Sequence, residues 1–113
     1  MVSIIPEEVN RSPRLRAAVD RVTKLLETEV RDFATGDPVS TEWSVFHDER
    51  GRAGLDVAIA DSLGAASRRI LPEKLFDDDF LGRQVGGLWG DLLRIRSHYH
   101  RDRLRQMIAT LDD

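Results

Sequence analysis

The chain has 113 residues, 41% of them hydrophobic and 33% charged, and no cysteine. That is enough for one domain whose core needs no metal or disulfide staple. Seventeen Lys+Arg against 20 Asp+Glu leave a formal charge of −3, too even for an acidic tail and too acidic for a protein that coats DNA through its phosphates. The absence of cysteine excludes a disulfide framework, a zinc ribbon and a thiol nucleophile.

In residues 1–10, MVSIIPEEVN, the apolar run is too short for a signal-peptide core and no basic residue precedes it. We expect a flexible N-terminal segment here, on a single domain spanning residues 1–113. No window approaches the roughly 18 apolar residues of a membrane span, so a cytoplasmic protein is expected. Arg outnumbers Lys by 15 to 2, which reads as the base composition of a high-GC bacterium.

Ser12-Pro13 opens the first strong element, with Ser as N-cap and Pro at the first helical position. Leu15, Ala18, Val19, Val22, Leu25, Leu26, Val30 and Phe33 then recur at helical spacing, with charged residues between them. Gly36-Asp37-Pro38 is expected to end this amphipathic helix.

From Val39 to His47 the period becomes two. Val39, Thr41, Trp43 and Val45 share one face, and Ser40, Glu42, Ser44 and Phe46 the other. Asp48 to Arg52 reads as a hairpin loop, and Leu55, Val57 and Ile59 mark a second strand. Asp61-Ser62-Leu63-Gly64 is a turn, and Ala65 to Leu71 a weaker third strand with Arg68 and Arg69 on opposite faces. Short turns between three strands predict an antiparallel meander.

A short helical turn follows over Leu71 to Phe76, and Asp77-Asp78-Asp79 caps the next helix with negative charge near its positive end. Leu81, Val85, Leu88, Trp89, Leu92, Leu93, Ile95 and Tyr99 keep helical spacing. Leu104, Met107, Ile108 and Leu111 continue it with a shifted phase. Either one long helix results, or a break falls between Ser97 and Asp102. Gly82, Gly86, Gly87 and Gly90 lie inside this element, each costing about 1 kcal/mol relative to Ala. They predict a close approach to the backbone by the sheet or by a second copy of the chain. Asp112-Asp113 is expected to be disordered.

These elements predict an α+β fold: a helix, a three-stranded antiparallel meander and a long C-terminal helix (α-β-β-β-α) in two layers. Double-stranded-RNA-binding domains share this order, but they begin the second helix with a Lys-rich segment that grips phosphate. Asp77-Asp78-Asp79 would repel phosphate, so the resemblance ends at element order.

Enzyme signatures are missing. There is no Gly-x-Ser-x-Gly elbow, and the glycines of residues 82–90 match neither a P-loop nor a dinucleotide fingerprint. The adjacent aspartates fan outward at a helix start. His98 and Asp102, with His47, form the best metal set the chain offers, but no ligand motif supports it. We expect no catalytic residue, no cofactor and no resident metal.

Two binding readings remain. The first is a protein–protein module, self-associating as a homodimer or a subunit of a bacterial assembly, through Trp89, Tyr99, Leu104, Met107, Ile108 and Leu111. A helix from Asp79 to Leu111 would run roughly 50 Å and outreach a strand of about 20 Å. The alternative is weak nucleic-acid or anion binding through Arg94, Arg96, Arg101, Arg103 and Arg105, with Tyr99 available to stack on a base. Charge pairing is the favoured role for these arginines, because residues 36–79 carry −5 and residues 80–113 carry +2.

Overall fold

The computed structural model of the chain describes the backbone of residues 1–32 and 38–111 and the side chains of residues 1–29 and 38–110. Strand β1 (Val2–Ile4) leads through a single helical turn, α1 (Glu7–Asn10), into helix α2 (Pro13–Asp32). Strands β2 (Ser40–His47), β3 (Ala53–Ala60) and β4 (Ala65–Ile70) follow. A 3-10 turn (Pro72–Lys74) precedes helix α3 (Asp78–Leu111). The architecture is α+β, with one four-stranded sheet in the order β1-β2-β3-β4.

The sheet corrects the expected three-stranded antiparallel meander. The meander exists as β2, β3 and β4, paired antiparallel. A fourth strand, β1, lies parallel to β2 with Val2 opposite Ser40 and Ile4 opposite Glu42. The N-terminal segment expected to be flexible is therefore built into the fold. Val9 on α1 is fully buried, and Ser3 Oγ accepts a 2.8 Å hydrogen bond from the hydroxyl of the fully buried Thr41. Three exposed edge residues give too short a pattern for period-two reading, and their partner strand lies almost forty residues away.

Elsewhere local chemistry builds what it predicts. Ser12 Oγ accepts from the Leu15 N–H at 3.3 Å and Pro13 opens α2. Asp77 Oδ1 accepts from the Phe80 N–H at 3.1 Å and caps α3. Gly51 takes φ 75° in the β2–β3 loop, a left-handed conformation that glycine adopts without steric cost. The expected stop at Gly36-Asp37 and the disorder expected at Asp112-Asp113 lie outside the described residues.

The core lies between the helices and one sheet face. Leu15, Val19, Val22 and Leu26 of α2 and Leu81, Val85, Leu88 and Leu92 of α3 are buried, as are Trp43, Leu55, Val57 and Ile59 of the sheet. The buried indole N–H groups of Trp43 and Trp89 find no acceptor among the described residues, a cost of about 1–3 kcal/mol each.

Of the two readings of the C-terminal element, one long helix or a break between Ser97 and Asp102, the first holds. Helix α3 is continuous over 34 residues, about 51 Å at 1.5 Å per residue. The molecule is 61 Å in its longest dimension, with a radius of gyration of 17.0 Å, against about 13 Å for a compact chain of similar length.

Candidate interaction surface

The second half of α3 leaves the domain. Its last contacts with the body are at Ile95 and Arg96. A Cβ on Gly64 would press on Ile95 Cγ2 at 2.8 Å, so Gly64 allows α3 to lie close to the β3–β4 turn. Arg96 Nε donates to Asp61 Oδ2 at 2.6 Å; the Asp61 side chain is fully buried and that of Arg96 is 13% exposed. Burial raises the pKa of Asp61, but donation from the Leu63 N–H, from Arg96 and from the Gly64 N–H outweighs it and holds the carboxyl below its ordinary range. From Ser97 to Thr110 every residue is exposed. We call this segment the arm.

The arm carries a stripe of large apolar side chains in water: Leu104 is 58% exposed, Met107 55% and Ile108 57%. Tyr99 is 44% exposed and accepts from Arg103 at 3.4 Å. At about 100° per residue, Tyr99 continues the core-facing line of Leu88 and Leu92. The stripe of Leu104, Met107 and Ile108 lies about 120° further round, on the helix side turned to solvent. The Leu111 side chain is outside the described residues. Trp89 is only 5% exposed. It belongs to the core, which corrects its expected place among the contact residues.

The glycines divide in the same way. A Cβ on Gly87 would meet the Arg68 guanidinium at 3.0 Å, but at Gly82, Gly86 and Gly90 it would meet nothing within 4 Å among the described residues. The sheet therefore accounts for Gly87 alone. The other three lie on the solvent side of α3, at four-residue spacing.

The five arginines do not form one anion-binding face. Arg96 is spent on Asp61. Arg94 pairs with Asp91, which also accepts from Arg68 at 2.6 Å. Arg101 and Arg105 have no ion-pair partner among the described residues, and Arg103 points to another side of the helix. No three His, Asp or Glu side chains converge on a metal position among the described residues. His47 sits 3.4 Å from Glu8, at the opposite end of the sheet from His98 and Asp102.

The outer sheet face holds an open depression of about 450 Å³, a feature not read from the sequence. Its lining includes Glu42, Asp56 and Arg69 together with Ser44, Ala58 and Ser67. Arg69 binds Asp56 through two hydrogen bonds, of 2.9 and 3.1 Å, and its guanidinium carbon lies 4.1 Å from the Phe46 ring centroid. Asp56 and Arg69 thus satisfy each other, and among the described residues neither Ser44 nor Ser67 has a hydrogen bond to a carboxylate or histidine that would activate it. No helix among the described residues is long and apolar enough to cross a membrane. Comparison with protein-family models, with curated proteins and with solved structures gives no match.

Proposed function

We propose that the protein is a non-enzymatic interaction module that self-associates through the solvent side of α3, as a homodimer or as a subunit of a larger assembly. The exposure of Leu104, Met107 and Ile108 along one line of an arm with no body beneath it carries this reading. Burying the exposed half of each such side chain is worth about 1 kcal/mol, and an apolar line on a projecting helix marks a contact surface. Charge supports the same reading. The five arginines of the alternative anion-binding reading are split between internal ion pairs and different sides of the helix, which weakens that alternative.

Size-exclusion chromatography with light scattering tests the proposal on the full chain. The wild type is expected to elute with twice the 12.8 kDa chain mass or a higher multiple, and the double variant Leu104→Ser/Ile108→Ser as a monomer. A wild-type monomer at tens of micromolar overturns it.

A further inference from the structure

The glycines and the apolar arm lie on one line. At about 100° per residue, Gly82, Gly86 and Gly90 occupy the same solvent-side face of α3 as Leu104 and Ile108. The face is therefore bare backbone along the body and large side chains along the arm. Each of the three glycines weakens the helix by about 1 kcal/mol, and nothing among the described residues approaches them.

We infer that two copies of α3 pack antiparallel about a two-fold axis at Ser97, so that the arm of each copy lies in the glycine groove of the other. This deepens the proposed self-association and rests on it. The register comes from the spacing. With Ser97 opposite itself, Leu104 falls opposite Gly90 and Ile108 opposite Gly86, so a large side chain meets bare backbone at each step. A two-fold contact of this kind is isologous and closes at two copies. A parallel pairing would set glycine on glycine and leucine on leucine, which holds the helices at two different separations along one interface.

Charge disfavours the parallel direction. Parallel packing would put Arg101, Arg103 and Arg105 of both copies side by side, at a Coulomb cost. Antiparallel packing in this register sets them opposite residues 89–93, where Asp91 is the one charged residue.

The chain has no cysteine, so single introduced cysteines report the register directly. Facing Cα atoms must come within about 4.4–6.8 Å to form a disulfide, and helices packed over glycine reach the short end of the usual 8–10 Å interaxial range. Ser97→Cys is expected to give a covalent dimer on mild oxidation. Leu104→Cys, about 21 Å from its copy in this register, is expected to stay reducible to nothing larger than a single chain on a denaturing gel. The variant Gly86→Leu is expected to lose the dimer while its monomer keeps or gains thermal stability. Cross-linking of Leu104→Cys but not Ser97→Cys, in protein that is still dimeric, overturns the antiparallel register and leaves self-association standing. A Gly86→Leu protein that stays dimeric overturns the register in the same way. A wild type that is monomeric by light scattering overturns both readings.

Discussion

Arg96 and Asp61 form a buried ion pair between α3 and the β3–β4 turn, at 2.6 Å, at the point where α3 leaves the body. Asp61 also accepts from the Leu63 and Gly64 N–H groups, so one carboxylate shapes the turn and anchors the root of the arm. Asp61→Asn keeps a carbonyl oxygen for the turn and removes the charge beside Arg96. Breaking a pair of this kind from one side should cost about 2–3 kcal/mol, read as a lower urea midpoint at neutral pH. An unchanged midpoint would show that the pair does not hold the arm root.

The same carboxylate sets a pH dependence. The folded-state pKa of Asp61 is lowered, as is that of Asp77, where the Phe80 N–H, then the side chain of Lys74, favours the ionised form. The unfolded chain therefore binds more protons in the acid range. Their contribution is fully present above the ordinary carboxyl pKa and is lost as pH falls through the lowered values. Stability should hold from neutrality down to about pH 5 and fall below about pH 4. Urea titrations across that range check it, and the gap between wild type and Asp61→Asn should narrow at the acid end.

Two glycines should respond to the same substitution with opposite sign. A Cβ on Gly54 would collide with the Phe46 ring and the Ile70 carbonyl, so Gly54→Ala should destabilise by about 1–3 kcal/mol. A Cβ on Gly86 meets open space, so Gly86→Ala should stabilise the monomer by about 1 kcal/mol through helix propensity. Urea unfolding at protein concentrations low enough to keep the chain monomeric separates these effects. A loss of stability in Gly86→Ala under those conditions would place a neighbour over this face within the monomer.

Much of this was legible in the sequence, because it is local. The Ser12-Pro13 start, the faces of β2 and β3, the cap at Asp77 and the shifted phase of Leu104, Met107 and Ile108 all follow from spacing and capping chemistry. Strand β1 was not legible, since Val2 to Ile4 gain their identity from a parallel pairing with residues 40–42. Trp89 shows the same limit. Its position between the core line and the solvent side leaves its burial to be decided by α2 and the sheet. The glycines were legible as a demand for close approach, but only the open space over Gly82, Gly86 and Gly90 separates them from Gly87.

The arm should carry association without carrying the fold. Residues 97–110 are all exposed, so Leu104→Ser/Ile108→Ser should change monomer stability by no more than about 0.5 kcal/mol. A larger loss in dilute protein would mean that the stripe is already used within one chain.

Sedimentation equilibrium of the full wild-type chain over a dilution series decides whether the chain self-associates through the arm. The expected mass is at least twice 12.8 kDa at tens of micromolar, falling toward the single-chain mass on dilution and held there at all concentrations in Leu104→Ser/Ile108→Ser. A wild type that stays at the single-chain mass throughout, or a double variant that associates as well as the wild type, would contradict it.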